Sequence, residues 1–208
     1  TGKILLYDLH QDVRRTIVPY ENISRNIINA TVAIEDDTFF QHGGIRPLSI
    51  IRAALINLQG GNLLSGQGGS TITQQVVKNA LLGQEKTISR KMKEALLAVK
   101  LERVLTKEEI LAHYLNESPY GGTLYGVEEA SQSFFGKSSA DLTLAEAAYL
   151  AALPQAPTYF SPYGNHRNEL ETRKNLVLAQ MLKNSFIDQK EYDAAKTARV
   201  DFLPQATI

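Results

Sequence analysis

The sequence predicts a mainly α-helical domain with a small N-terminal β-hairpin. Apolar residues recur at helical spacing over most of the chain after Pro19. The pairs Thr106/Glu109 and Thr143/Glu146 have the spacing of helix capping boxes. Strand-like segments precede Pro19, around a polar turn. Together these observations favour a helical fold that opens on a β element.

The predicted elements follow one another along the chain. Two short strands at 4–9 and 13–18 flank the turn at 10–12. The segment 60–69 is a glycine-rich loop, and 154–164 is irregular because it carries three prolines. Helical or apolar-patterned segments are predicted at 24–34, 48–58, 76–82, 87–104, 106–115, 143–153, 167–183 and 188–198.

Composition excludes several classes of function. The 208 residues carry 22 basic and 22 acidic side chains, so no global field attracts nucleic acid. Without cysteine there is no thiolate catalysis, disulfide or cysteine metal site, and the four histidines are scattered singly. No apolar run reaches the ~18–20 residues of a membrane span, and no signal peptide is present. Because the chain opens at Thr1, we expect a targeting segment upstream.

Residues 68–75, Gly-Gly-Ser-Thr-Ile-Thr-Gln-Gln, form the most informative stretch. Thr71 and Gln74 are spaced as a capping box, which would make the segment only a helix start. That interpretation leaves Ser70, Thr73 and Gln75 unexplained, with Lys78 one turn beyond Gln74. Hydroxyls, amides and a cation at a helix N-terminus suit an anionic or polyhydroxylated ligand, so we predict a ligand site here.

A run of three carboxylates, Glu35-Asp36-Asp37, follows an apolar helical segment. Acidic side chains at a helix C-terminus are disfavoured by the helix dipole, which suggests a role beyond folding. One hypothesis is a general acid or base in a cleft, since crowding shifts carboxylate pKa values. The alternative is a solvated acidic turn over Phe39 and Phe40. Glu35 follows apolar residues and is expected to be the least solvated, but the sequence does not choose among the three.

Arg90, Lys91 and Glu94 share one region of a predicted helix. Arg90 and Glu94 are four residues apart, which is also the spacing of an ordinary exposed ion pair worth a few tenths of a kcal/mol. Beside a second glutamate and a hydroxyl/amide loop, the same cluster would neutralise a phosphate leaving group while a carboxylate assists.

In combination, these segments resemble the peptidoglycan glycosyltransferase (transglycosylase) domain of class A penicillin-binding proteins and monofunctional cell-wall glycosyltransferases. Five motifs match in order over nearly the whole chain, and one position departs, since the family often carries Asp where Arg46 stands. The matching residues are Glu35-Asp36, Phe39, His42 and Gly44; Gly69 to Gln75 with Lys78; Arg90-Lys91, Glu94-Ala95, Ala98 and Leu101-Glu102; Lys107, Ile110-Leu111, Tyr114-Leu115-Asn116, Gly121 and Tyr125-Gly126; and Arg173, Val177-Leu178 and Met181.

The resemblance implies a lysozyme-like, two-lobed helical domain that polymerises lipid II into β-1,4-linked glycan. The reaction is an inverting displacement that releases undecaprenyl diphosphate. Glu35 matches the general base and Glu94 the second essential glutamate. Matching positions imply substrate binding by Ser70, Thr71, Gln74, Gln75, Lys78, Arg90 and Lys91, and support from Asp36, Phe39, His42, Gly44, Asn116, Tyr125 and Arg173. No metal ligands are predicted; a divalent cation, Mg²⁺ or Mn²⁺, is left open.

The resemblance also implies a domain plan. Residues 1–20 form the hairpin and linker, 21–200 the glycosyltransferase domain, and 201–208 a linker toward a transpeptidase domain. Within the domain, about 46–66 is predicted to be a membrane-facing jaw, although an amphipathic helix here would also cap a core. The expected partners are lipid II, the growing glycan, the membrane surface and cell-wall synthesis proteins, with no nucleic acid. The expected location is the extracytoplasmic face of the bacterial membrane, anchored by a helix outside this chain.

Two other functions compete with this interpretation. A lysozyme-like muramidase also uses two acidic residues in a helical domain, but its uncharged leaving sugar needs no cation cluster. A non-catalytic glycan- or lipid-binding module would keep the fold, yet it would be expected to have lost a glutamate or a cation.

Overall fold

The computed structural model describes residues 15–46, 69–81 and 87–205. Within these ranges the chain forms eight α-helices and one two-stranded antiparallel sheet. The elements are α1 (Arg25–Glu35), α2 (Ile72–Leu81), α3 (Ile88–Leu101), α4 (Lys107–Glu117), β1 (Pro119–Gly121), β2 (Leu124–Tyr125), α5 (Val127–Phe135), α6 (Leu144–Ala152), α7 (Arg167–Lys183) and α8 (Gln189–Thr197). The mainly α fold class is confirmed.

The helices form two packed groups. In one, α1 packs against α6 and α7, and α6 contributes mostly buried alanines, which keep the helices close. In the other, α2 packs against α3 and α4. On the apolar face of α1, Ile27 and Val32 are almost completely buried, which fixes the helix in the core.

Helix starts follow the capping chemistry predicted from sequence. Thr106 with Glu109 and Thr143 with Glu146 both form complete capping boxes, in which each side chain accepts from the other residue's backbone N–H. Thr87 accepts from the backbone N–H of Arg90 at the start of α3. These predictions are confirmed. They could be made from the sequence because both partners of each cap are only three residues apart.

The sheet was not predicted. β1 and β2 pair as a short hairpin, and α5, which follows at once, was also missed. Gly126 joins β2 to α5 with φ +87, and an added Cβ would lie 2.7 Å from the carbonyl oxygen of Asn116, so the turn requires glycine.

Several sequence predictions fall on other parts of the chain. The N-terminal hairpin lies mostly outside the described residues, and its residues 15–18 have no regular secondary structure. The helix predicted at 48–58, nearly all of the loop at 60–69 and the jaw at about 46–66, except Arg46, also lie outside them. In the ranges that are described, none of the helices has the length and apolar character needed to cross a bilayer.

Candidate active site

Glu35 is the last residue of α1 and lies where the two helix groups meet. Its Oε2 accepts a 2.8 Å hydrogen bond from Nε2 of Gln75 on α2. The guanidinium of Arg173, on α7, lies 4.0 Å from Oε1, and the Glu35 side chain is 16% exposed. A cavity of about 160 Å³ opens beside it, lined also by Asp37, Arg46 and Gln180. Glu35 is therefore a partly shielded carboxylate with one donor, one nearby cation and access to a cavity.

Asp36, the next residue, is fully buried, and both of its carboxylate oxygens accept hydrogen bonds. Its oxygens accept from the backbone N–H of Ile72 at 3.0 Å and from Nε of Arg46 at 2.8 Å, and they also contact His42. Burial alone would raise the pKa of Asp36, but the hydrogen bonds from His42, Arg46 and Ile72 outweigh it and hold the pKa below its usual value. Asp36 therefore ties the end of α1 to the start of α2.

Asp37 faces solvent and pairs with Arg46 at 3.1 Å, while the same guanidinium binds Asp36. The position where the sequence departs from the family pattern thus carries a cation that bridges two of the three neighbouring carboxylates. Of the three, Glu35 keeps an oxygen beside the cavity without a direct hydrogen bond from Arg46.

The loop after α1 is held by side-chain and backbone contacts. The backbone N–H of Gly44 donates to Nδ1 of His42 at 3.2 Å, so Nε2 carries the proton that faces Asp36. Gly44 has φ +90, and an added Cβ would lie 2.7 Å from the backbone oxygen of Ala98 on α3. Phe39 is buried, with the Lys107 ammonium 4.4 Å from its ring centroid.

The segment 70–75 divides into inward-facing and site-facing side chains. Thr71 and Gln74 form the predicted capping box, and the hydroxyl of Thr71 also donates to the carbonyl of Gly44 at 2.6 Å. Both side chains are buried, an arrangement that favours support of the helix start over the predicted substrate contact. Ser70 and Gln75 instead contact the charged groups, and Lys78 is exposed on α2.

Glu94 lies on the inner face of α3 and is only 1% exposed. Its Oε2 pairs with Nη1 of Arg90 at 3.1 Å, and its Oε1 binds the ammonium of Lys91. The Lys91 ammonium also donates to the hydroxyl of Ser70 at 2.7 Å. The pair of cations predicted from spacing is therefore assembled around one buried carboxylate, rather than forming an exposed ion pair.

Glu102 and Lys107 are two charged residues behind the site to which the sequence alone assigns no role. Glu102 accepts from the hydroxyl of Thr73 at 2.6 Å and pairs with Lys107 at 2.6 Å. Lys107 also donates to the carbonyl of His42 at 2.6 Å, which joins α4 to the loop after α1. Both residues belong to motifs quoted above, but only the tertiary contact shows what they bind.

The remaining predicted residues surround the site. Asn116 binds the backbone of Val18 through its amide oxygen at 3.0 Å and its amide nitrogen at 2.8 Å. Tyr125 is half-buried in β2. Burial lowers the pKa of Arg173, although the charge of Glu35 opposes this. Burial, reinforced by the charge of Glu35, raises the pKa of Tyr114 well above its usual value.

No metal cluster is evident in this part of the molecule. Within residues 15–46, 69–81 and 87–205, no group of three or more His, Asp or Glu side chains is placed to hold an ion. A divalent cation therefore remains an open prediction.

Comparison with known proteins gives a consistent family. The family model described as Transglycosylase matches residues 2–182. The chain is 47% identical over 182 residues to penicillin-binding protein 1A of Aquifex aeolicus (strain VF5), covering 88% of this chain and 25% of that protein. It is 41% identical over 188 residues to penicillin-binding protein 1A of Escherichia coli (strain K12), covering 90% of this chain and 22% of that protein.

Among solved structures, penicillin-binding protein 1A from Haemophilus influenzae superposes with a TM-score of 0.49 and 24% identity, over 93% of this chain and 19% of that one. The chain spans about a quarter of the length of the curated relatives that it matches.

Proposed function

Because this chain belongs to the transglycosylase family, we propose that it is a peptidoglycan glycosyltransferase that polymerises lipid II into β-1,4-linked glycan. One observation carries the proposal. Glu35 faces a cavity beside two carboxylates that are already paired. The short segment that binds Glu35 through Gln75 also contacts, through Ser70, one of the two cations that clamp a second glutamate. A base and a cationic leaving-group site are what an inverting displacement needs.

Glu35 would act as the general base. The amide of Gln75 donates to one of its oxygens and the guanidinium of Arg173 lies 4.0 Å from the other, so both orient the carboxylate beside the cavity. Its free oxygen would accept the proton of the acceptor's 4-hydroxyl as that oxygen bonds to the anomeric carbon of the donor. The bond from that carbon to the phosphate oxygen breaks, the diphosphate leaves with the electron pair, and the α-linkage becomes β.

Arg90 and Lys91 would stabilise the leaving diphosphate, with Lys78 as a third cation. Glu94 binds both of the first two and holds them on one side of α3, while Ser70 fixes the ammonium of Lys91. The Arg90 side chain is 15% exposed, and its planar guanidinium suits phosphate oxygens. A hydrolase with a neutral leaving sugar does not need this arrangement.

The other predicted residues would support the site. Asp36, His42 and Gly44 would fix the loop that follows Glu35 against α2 and α3. Thr71 and Gln74 would hold the start of α2 rather than touch substrate, since their polar atoms bind one another. Phe39, Asn116 and Tyr125 would act through packing and backbone contacts.

The substrate sets the expected location. Lipid II keeps its tail in the bilayer, so the domain would work at the extracytoplasmic membrane surface, with the predicted jaw at about 46–66 in contact with lipid. Cell-wall synthesis proteins are the expected partners.

The deciding experiment incubates the domain with labelled lipid II in detergent and separates the products by size. Wild type is expected to give a ladder of glycans, while Glu35→Gln should fold normally and lose activity by about 10²–10⁴-fold. Asp37→Asn is the matched control, since it neutralises a neighbouring carboxylate that faces solvent, and it should still form the ladder.

Two outcomes would overturn the proposal. A Glu35→Gln variant nearly as active as wild type would remove Glu35 from the role of base. Shortening of preformed glycan without any ladder would identify a muramidase instead.

A further inference from the structure

The outer face of α3 carries a row of large apolar side chains in solvent. Ile88, Met92 and Leu96 are 54%, 69% and 59% exposed. Residues four apart advance only about 40° around an α-helix, so the three side chains form one stripe along about two turns. We call these three residues the α3 stripe.

The stripe is not part of the protein core. Glu94 and Ala98, on the opposite side of α3, are buried against the rest of the domain. One exposed apolar side chain is ordinary on a protein surface, but a continuous row of three marks a surface that contacts something else.

The charged side chains around the α3 stripe indicate what kind of surface it contacts. Between residues 88 and 104 the exposed charged side chains are Lys93, Lys100 and Arg103, which are all basic. The two acidic residues of this stretch, Glu94 and Glu102, have side chains only 1% and 8% exposed and are paired inside the protein. The chain as a whole has no net charge, so this face concentrates positive charge beside the apolar stripe.

We propose that the outer face of α3 lies in the interface of an anionic lipid bilayer. Apolar side chains bordered by lysine and arginine on one helix face are the pattern of an interfacial helix. The stripe would enter the boundary between headgroups and acyl chains, and the basic residues would contact lipid phosphates. A second copy of the chain fits less well, because its own basic residues would meet these across the contact.

This surface belongs to a different part of the sequence from the predicted jaw at about 46–66, and it rests on the proposed function, which it deepens. Arg90 and Lys91 lie on the same helix as the stripe, about one helix diameter (~10 Å) from its outer face. A diphosphate bound by them would therefore lie close to the headgroup layer, where the diphosphate of a lipid-linked substrate is found.

The absence of tryptophan from the sequence allows a site-specific test. The variant Met92→Trp reports on the stripe, and Leu176→Trp reports on an exposed leucine of α7 as a control. Each is mixed with vesicles of phosphatidylglycerol and phosphatidylethanolamine that contain brominated acyl chains. Emission from Met92→Trp should shift to the blue and be quenched, whereas Leu176→Trp should show neither change.

Binding constants give the second measurement. Met92→Ser/Leu96→Ser should weaken vesicle binding about tenfold, whereas Leu176→Ser/Leu203→Ser, which removes two exposed leucines elsewhere, should not. Lys93→Gln/Lys100→Gln should weaken binding to these vesicles but not to phosphatidylcholine vesicles, and salt should remove the difference.

The outcomes separate this proposal from the transferase. The vesicles contain no lipid II, so binding is measured whether or not the domain polymerises it. Met92→Ser/Leu96→Ser should keep full polymerisation in detergent, where no bilayer is needed. Vesicles that bind the protein without quenching Met92→Trp would refute the proposal, as would a failure to bind anionic vesicles at all.

Discussion

Replacing Arg46 by methionine removes a guanidinium that binds two carboxylates at once. Its Nε donates to Asp36 at 2.8 Å and its Nη2 lies 3.1 Å from Asp37. The Asp36 side chain is 0% exposed, whereas that of Arg46 is 25% exposed. After the substitution, Asp36 keeps its contacts with His42 and with the backbone N–H of Ile72, but it loses its arginine.

The magnitude follows from these burials. Removing one partner of a fully buried ion pair costs about 3–5 kcal/mol, and a hydrogen bond to a charged group is worth about 1.5–3 kcal/mol. Because water screens a quarter of the Arg46 side chain and Asp36 keeps two other partners, we expect a loss of about 2–3 kcal/mol. In a domain of this size, that loss lowers the Tm by roughly 4–12 °C.

The assay is thermal unfolding followed by circular dichroism, with a charge-exchange variant as the control. Arg46→Asp/Asp37→Arg reverses both members of the 3.1 Å pair and restores opposite charges across it. It should recover part of the stability that Arg46→Asp alone loses, since the two sites are coupled. Wild-type stability of Arg46→Met, or a double variant no more stable than the sum of the single effects, would refute the reasoning.

Three further predictions concern the same site. Gly44→Ala should cost more than about 2 kcal/mol of folding free energy in chemical denaturation, because φ is +90 and a main-chain oxygen lies 2.7 Å from the new Cβ. The control Gly43→Ala, whose Cβ would have nothing within 4 Å, should leave the folding free energy nearly unchanged. Lys91→Ala should slow polymerisation on the order of 10²-fold in the lipid II assay, while Lys93→Ala, exposed on the other side of the helix, should not; equal rates would remove Lys91 from the leaving-group site. The pKa of Asp36 is lowered in the folded protein, so its stabilisation is complete above its unfolded pKa of about 3.9 and is lost as the pH falls through the folded value. Denaturation between pH 7 and pH 2 should therefore show the stability gap between wild type and Asp36→Asn narrowing only at acid pH, and a gap that stays constant would contradict this.

The parts of the fold that sequence predicted are those with local causes. Thr106 with Glu109 and Thr143 with Glu146 are three residues apart, so their caps can be recognised without tertiary information. The β1–β2 hairpin spans only three and two residues in its strands, and α5 begins at a glycine with positive φ, so neither has a periodic pattern long enough to recognise.

The site shows the same division. Sequence could name the three carboxylates from Glu35 to Asp37, and the resemblance favoured the first, but no local rule separates them. Their environments come from distant segments, because Gln75 binds Glu35 and the backbone of Ile72 binds Asp36. The contact between Arg173 and Glu35 joins residues 138 positions apart in the chain, which spacing cannot reveal.

The segment 70–75 contacts Glu35 directly and is linked to Glu94 through Lys91. Ser70 accepts from Lys91, the partner of Glu94, and Gln75 donates to Glu35. These two contacts are five residues apart, on a segment in which Ser70 precedes α2 and the first helical turn is locked by its own capping box. A ligand that draws Lys91 away from Ser70 therefore acts on the same short, stiff segment that orients Glu35. By thermodynamic linkage any such effect is mutual. If donor binding strengthens acceptor binding by some free energy, acceptor binding strengthens donor binding by the same amount.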